Sequence, residues 1–66
     1  MKKEKIFKKI LKRCNEKNKS TFVIEQAEDF IRNIELNYTD EITQEMGYEL
    51  ISYGILTEKE LNILLS

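Results

Sequence analysis

Apolar residues recur with the period of an α-helix along the whole chain, and none of its 66 residues is proline. In the first segment they lie at i, i+1, i+4, i+5 and i+8, one face of a helix: Ile6, Phe7, Ile10, Leu11 and Cys14. No stretch of useful length alternates as a strand would. The pattern predicts an all-α fold, a small bundle of three main helices plus a short C-terminal fourth helix, in a single helical domain over residues 1–66.

Turn and capping residues mark where the first two helices begin and end. The first helix is predicted over about residues 3–15, and the polar stretch 15–19 breaks it. Ser20 or Thr21 can cap the second helix. Asn37 is suited to the left-handed conformation that stops it.

The third and fourth helices have similar signals. Thr39 or Asp40 can begin the third helix, and Gly54 ends it. Gly47 lies inside that helix, where a close helix crossing would offset its cost of about 0.5–1 kcal/mol. Residues 57–60, Thr-Glu-Lys-Glu, form a capping box, with Leu56 and Leu61 at the spacing of a hydrophobic staple. A fourth helix over about 58–65 follows.

Twelve apolar side chains at helical spacing are expected to form the core: Ile6, Ile10, Val23, Ala27, Phe30, Ile31, Ile34, Ile42, Met46, Leu50, Leu61 and Leu64. On the third helix the expected stripe is Ile42, Met46, Leu50 and Tyr53. Phe22 and Leu36 lie off the stripe of the second helix, each seven residues from Asp29. Because the core is small and these two apolar residues lie outside it, a homodimer is expected.

The short length also limits how the fold can be stabilised. A chain of this size buries only about 60% of its unfolded surface. One cysteine and no histidine allow neither an internal disulfide nor a structural zinc site. Lys8 and Lys9 interrupt the apolar run that a signal peptide needs, so a cytoplasmic protein is expected. Heavy use of Lys, Ile, Asn and Glu suits the AT-rich genes of low-GC bacteria, their phages and other mobile elements.

Charge is divided sharply along the chain. Residues 1–19 hold nine of the eleven basic side chains against two acids, a net charge of +7. Residues 20–66 hold ten acids against Arg32 and Lys59, a net charge of −8. Such asymmetry bears on partners and assembly rather than on the fold.

No arrangement of residues suggests catalysis. The common general base, histidine, is missing, and there is no glycine-rich phosphate loop. Cys14 lies on the apolar stripe of the first helix, as a buried, inert thiol would. We therefore expect a protein that is not an enzyme and that uses no cofactor or metal.

The third helix carries the sequence feature that bears most directly on function. Glu41, Glu45 and Glu49 lie at i, i+4 and i+8, a column of like charge that weakens an isolated helix. Tyr48 lies on the same outward face, where an exposed tyrosine is suited to anchor an interface. The pattern favours a small regulator, such as an inhibitor or adaptor, that binds a protein with a basic surface. Surface acids that only confer solubility would give the same pattern.

An alternative is a nucleic-acid-associated protein that contacts phosphates through a basic face of the first helix: Lys5, Lys8, Lys9, Lys12 and Arg13. A solvated outer face of a core helix is the favoured interpretation of these residues, because the second and third helices are acidic and would repel phosphates. Binding at a membrane surface is less suited, because the apolar stripe is narrow and tryptophan is missing. The lysines could also meet the protein's own acids, within one molecule or between two copies.

Overall fold

The computed structural model describes residues 2–66, which form four α-helices: α1 (Lys2–Glu16), α2 (Thr21–Glu35), α3 (Glu41–Ser52) and α4 (Glu58–Leu65). The expected all-α fold and its short fourth helix are confirmed. Each helix packs on the next, and α4 closes back on α1. Since α1 and α3 share the neighbours α2 and α4, they lie at opposite corners of the bundle.

The first three helices end in the same way, with one residue in the left-handed conformation: Asn18 (φ 51°), Asn37 (φ 63°) and Gly54 (φ 78°). In each case the next amide bonds back across the last turn, as when Tyr38 N–H donates to Asn33 C=O at 2.9 Å. These closures satisfy terminal carbonyls and reverse the chain. The predicted stops at Asn37 and Gly54 are confirmed.

Side-chain caps begin the last three helices. Ser20 Oγ accepts from the Val23 amide at 3.4 Å, and Asp40 caps α3 in the same manner. At α4 the capping box is complete, because Thr57 and Glu60 each accept from the other's amide at 3.1 Å. These local contacts fix the helix starts that the sequence predicts.

Buried side chains from all four helices meet in one core. Nine of the twelve expected residues are buried, and Ile31 and Met46 are partly buried. Cys14, Ile55 and Leu56 complete this core. The two leucines of the predicted staple, Leu56 and Leu61, are both buried.

The core-facing side of α3 differs from the expected stripe. Its buried residues are Thr43, Gly47 and Leu50, whereas Ile42 is 67% exposed. The prediction that Ile42 belongs to the core is therefore wrong. Relative to the expected orientation, α3 is rotated about its own axis by one residue, roughly 100°, at these positions. The sequence pattern did not reveal this orientation, because it marks large apolar residues as buried. The two residues that enter the core instead are Thr43, which is polar, and Gly47, which has no side chain.

Gly47 explains why α3 is turned in this way. A Cβ atom there would collide with Leu61 Cδ1 of α4 and would lie 3.3 Å from Phe30 Cε1 of α2. The missing side chain lets α3 approach both neighbours closely, which offsets the low helix propensity of glycine. The predicted close crossing at Gly47 is confirmed.

None of the helices described between residues 2 and 66 has both the length and the apolar character needed to cross a membrane.

Candidate functional site

The outer face of α3 brings the four predicted protein-binding residues together. Glu41, Glu45 and Glu49 are exposed in one row, and Tyr48 beside them is 56% exposed. Burial of the opposite face of α3 holds the row toward solvent. Whether these residues bind a partner stays a prediction.

Within α3 itself, no basic residue compensates the negative charge of this row of glutamates. Glu41 lies in the first turn, where the helix dipole favours an acid, but the last turn holds no basic residue. Glu49 lies near that C-terminal end, and its carboxylate accepts a hydrogen bond from Gln26 Nε2 at 3.3 Å. The face thus presents concentrated negative charge to whatever approaches it.

The basic residues lie at the opposite corner of the bundle. Four of the predicted phosphate-contacting lysines are exposed on α1: Lys5, Lys8, Lys9 and Lys12. Among residues 2–66, no ion pair joins a lysine of α1 to the glutamates of α3. The protein's own lysines therefore leave the acidic row uncovered.

Arg13, the fifth residue of the predicted basic face, points inward instead. Its guanidinium donates to both carboxylate oxygens of Glu60, at 2.7 and 3.0 Å, and to the Ile55 carbonyl at 3.3 Å. This bidentate pair joins α1 to α4 and lies largely out of solvent. The hydrogen bonds from Arg13, opposed by burial, hold the pKa of Glu60 at about 2. Arg13 is thus engaged within the fold, apart from the exposed lysines.

Two further cations, Lys3 in α1 and Lys17 just after its end, also hold the bundle together. Lys3 Nζ donates to the Ser66 carbonyl at 3.2 Å, and Lys17 Nζ donates to the Gly54 carbonyl at 2.7 Å. Both acceptors lie at helix C-termini, where a cation is favourable. Part of the basic charge of α1 therefore serves helix packing.

An open cavity of about 360 Å³ lies between α1 and the start of α4. Four lysines surround it: Lys2, Lys5, Lys9 and Lys59. Ile6 and Ile63 also line it, and Glu60 is its one acid. Because Arg13 already neutralises Glu60, the cavity is electropositive.

A second exposed feature runs where α2 meets α3. Phe22 and Leu36 are exposed, as their position off the α2 stripe indicated, and Ile42 joins them as an exposed apolar residue. Gln26 and Met46 line a small cavity between α2 and α3. The sequence predicted Met46 as a core residue and assigned no role to Gln26, so neither was predicted to belong to a site. The heptad spacing of Phe22, Asp29 and Leu36 was the signal in the sequence, but only the packing shows which helix it borders.

Two further buried groups are explained by the fold. The Thr43 hydroxyl accepts from Asn33 Nδ2 at 3.3 Å, so this core threonine is satisfied. The Cys14 thiol is buried as expected, and burial raises its pKa. Within residues 2–66, no cluster of His, Cys, Asp or Glu is arranged to hold a metal ion.

No protein-family model matches the chain, and comparisons with curated proteins and with solved structures found no match either.

Proposed function

We propose that this is a small non-enzymatic regulatory or interaction protein that binds another protein through the acidic outer face of α3. The observation that carries the proposal is the exposed Tyr48 beside three aligned carboxylates that no lysine of α1 neutralises. An exposed tyrosine offers a large, rigid contact at little entropic cost. The partner is a protein with a basic surface.

Charge determines how such a partner is found. Complementary charge raises the association rate and suppresses wrong partners more than it adds affinity. In the most specific version of this proposal, the protein is an inhibitor of, or an adaptor for, a nucleic-acid-binding protein and occupies that protein's phosphate-binding surface. Binding by this mechanism weakens steeply as salt rises.

Affinity capture from the native cell, followed by mass spectrometry, tests the proposal. We expect wild-type protein to retain a basic partner and the double variant Tyr48→Ala, Glu45→Lys to lose it. Both substitutions lie on an exposed face, so the variant should keep the helicity of the wild type by circular dichroism.

The matched control is Glu16→Lys, which makes the same charge change on an exposed residue of α1, at the opposite corner of the bundle from α3. It should retain the partner. Equal capture by the wild type and the α3 variant would show that the binding surface lies elsewhere. Loss of the partner from the control as well would mean that the net charge of the protein, rather than the outer face of α3, determines binding.

A second candidate function, nucleic-acid association, is favoured by the lysine-lined cavity and the four exposed lysines of α1. Lysines on one face can grip phosphates without reading sequence. The test is a gel-shift assay with duplex DNA at about 0.15 M salt. A retarded band that disappears when Lys8, Lys9 and Lys12 become Glu would favour this function over the first.

A further inference from the structure

The outer flanks of α2 and α3 meet along a shallow groove, here called the α2–α3 seam. Its side chains come from α2, from Leu36 just past the end of α2, and from α3: Phe22, Gln26, Asp29, Asn33, Leu36, Ile42, Met46 and Glu49. The two helices run antiparallel, since Gln26 contacts Glu49 while Asn33 Nδ2 lies 3.5 Å from Met46 Sδ.

Exposed apolar side chains lie at both ends of the seam. Phe22, at one end, is 62% exposed, and Leu36, at the other, is 54% exposed. They are fourteen positions apart, which is about 21 Å along a helix. Ile42 belongs to the same end of the seam as Leu36, because the antiparallel packing sets Asn33 against Thr43, the next residue along α3. The seam thus has an exposed apolar residue at one end and two at the other, three large apolar groups that a partner lying along it would cover.

The middle of the seam is polar and rich in acceptors. A cavity of about 130 Å³ is lined by Gln26, Asp29, Met46 and Glu49. Gln26 Oε1 is buried and has no hydrogen-bond partner, while the amide nitrogen of the same side chain is used by Glu49. The Glu49 carboxylate and the unsatisfied Gln26 carbonyl oxygen thus line one small cavity, with Asp29, which already pairs with Arg32, at its border. A cationic group in this cavity would satisfy the free carbonyl oxygen and neutralise Glu49.

We propose that the α2–α3 seam binds a basic amphipathic helix of the partner, with apolar side chains over Phe22, Leu36 and Ile42 and a lysine or arginine over the central cavity. This inference rests on the proposed function, because it names the part of the partner that is bound. A groove between two antiparallel helices accepts a third helix by the packing rules that formed the first pair.

Charge selects this occupant over others. α2 and α3 together carry seven acids and one basic residue, Arg32, which pairs with Asp29 at 3.1 Å. Phosphates and anionic lipid headgroups would be repelled by such a surface. A helix with lysines or arginines on the flanks of its apolar stripe complements both the apolar ends and the acidic borders.

A second copy of this chain fits the seam less well. Two-fold pairing of seams would set the acids of one copy against the same acids of the other, which is destabilising. Helix α1 of another copy is basic, but Leu11 is its one exposed large apolar residue. It could not cover Phe22 and Ile42 together.

The test uses a synthetic helical peptide of about five turns, roughly 18 residues. It carries leucines about four turns apart, a lysine midway between them and further lysines on the flanks. Fluorescence anisotropy of the labelled peptide should show binding to the wild-type protein. Phe22→Asp and Ile42→Asp should each weaken binding about tenfold or more, the loss expected when a large apolar anchor is removed from an interface. Leu11→Asp, an exposed leucine on α1, should leave binding unchanged.

Two control peptides examine charge. Replacing the central lysine by methionine should weaken binding, and replacing every lysine by glutamate should abolish it. Equal binding of these peptides, or equal binding by Phe22→Asp and wild type, would overturn the inference. So would a seam-dependent dimer in sedimentation that Phe22→Asp dissolves, since a second copy would then be the occupant.

Failure here can be told apart from failure of the proposed function. Tyr48 lies across the acidic row from Ile42, so its substitution probes the outer face without touching the apolar ends of the seam. If native-cell capture is lost with the Tyr48→Ala, Glu45→Lys variant but kept with Phe22→Asp, the outer face binds a partner and the seam does not. If neither variant loses the partner, both proposals are wrong.

Discussion

Arg13 and Glu60 form the contact that most directly joins the first helix to the last. Each side chain has a second task, since Arg13 also holds the Ile55 carbonyl and Glu60 completes the cap of α4. A charge-assisted bidentate pair of this kind contributes about 2 kcal/mol. Sequence patterning could not identify it, because the partners lie 47 positions apart and Arg13 sits among exposed lysines.

Glu60→Gln should destabilise the protein by about 1–2 kcal/mol at pH 7. Glutamine at this position can still serve the capping box, so the loss reports the ion pair alone. The pKa of Glu60 is lowered from 4.5 to about 2 by folding. Its contribution is therefore complete above pH 4.5 and is lost as the pH falls through about 2. Urea unfolding at pH 7 and at pH 2.5 should show the difference between variant and wild type shrinking at the lower pH.

The matched control is Glu58→Gln, which removes the same charge from an exposed residue in the same turn of α4. It should change the free energy of unfolding by no more than about 0.5 kcal/mol at either pH. A Glu60→Gln effect of equal size at both values would mean that its ion pair with Arg13 contributes nothing.

Helix limits were predictable at the scale of single elements because their signals are local. The cap at Ser20, the stop at Asn37 and the box at Thr57 each depend on residues within one turn. The turned face of α3 was not predictable in this way. Thr43 and Gly47 enter the core because α2 and α4 approach closely there, and no local apolar signal marks a threonine or a glycine as buried.

Gly47→Ala should destabilise the protein by about 1 kcal/mol. The higher helix propensity of alanine favours the variant by about 1 kcal/mol, but overpacking a filled core costs about 1–3 kcal/mol. The added methyl group would collide with Leu61, a side chain that is itself buried and cannot swing into solvent. Thermal or urea unfolding of the variant measures the balance.

The sign should reverse when Leu61 is shortened. Leu61→Ala alone should cost about 2–5 kcal/mol through the cavity it leaves. In that background, Gly47→Ala gains helix propensity and fills part of the cavity, so it should stabilise the protein by about 1 kcal/mol. The same destabilisation by Gly47→Ala in both backgrounds would rule out the close crossing of α3 and α4 as its cause.

At the scale of the molecule, packing converts a charge split in the sequence into a charge split in space. The sequence predicted the split and the two candidate surfaces, Glu41 to Glu49 and Lys5 to Arg13, although Arg13 turns inward to Glu60. It could not show that they face away from each other, because that follows from α1 and α3 occupying opposite corners. The question of whether the lysines cover the protein's own acids is thus answered within one molecule by the order in which the helices pack.

The same separation of positive and negative charge has a measurable consequence for association between molecules. The lysines of one copy can meet the acids of another head to tail, through surface pairs worth only about 0–1 kcal/mol each. The acids along the α2–α3 seam disfavour the homodimer that the sequence predicts. Sedimentation equilibrium at micromolar concentration should therefore show the 7.9 kDa monomer at about 0.15 M salt and heavier species at about 0.01 M, where the Debye length grows to about 30 Å. Lys8→Glu with Lys12→Glu should remove the low-salt species. A dimer that persists at about 1 M salt would instead be held by apolar contacts, as expected if Phe22 and Leu36 pair between copies.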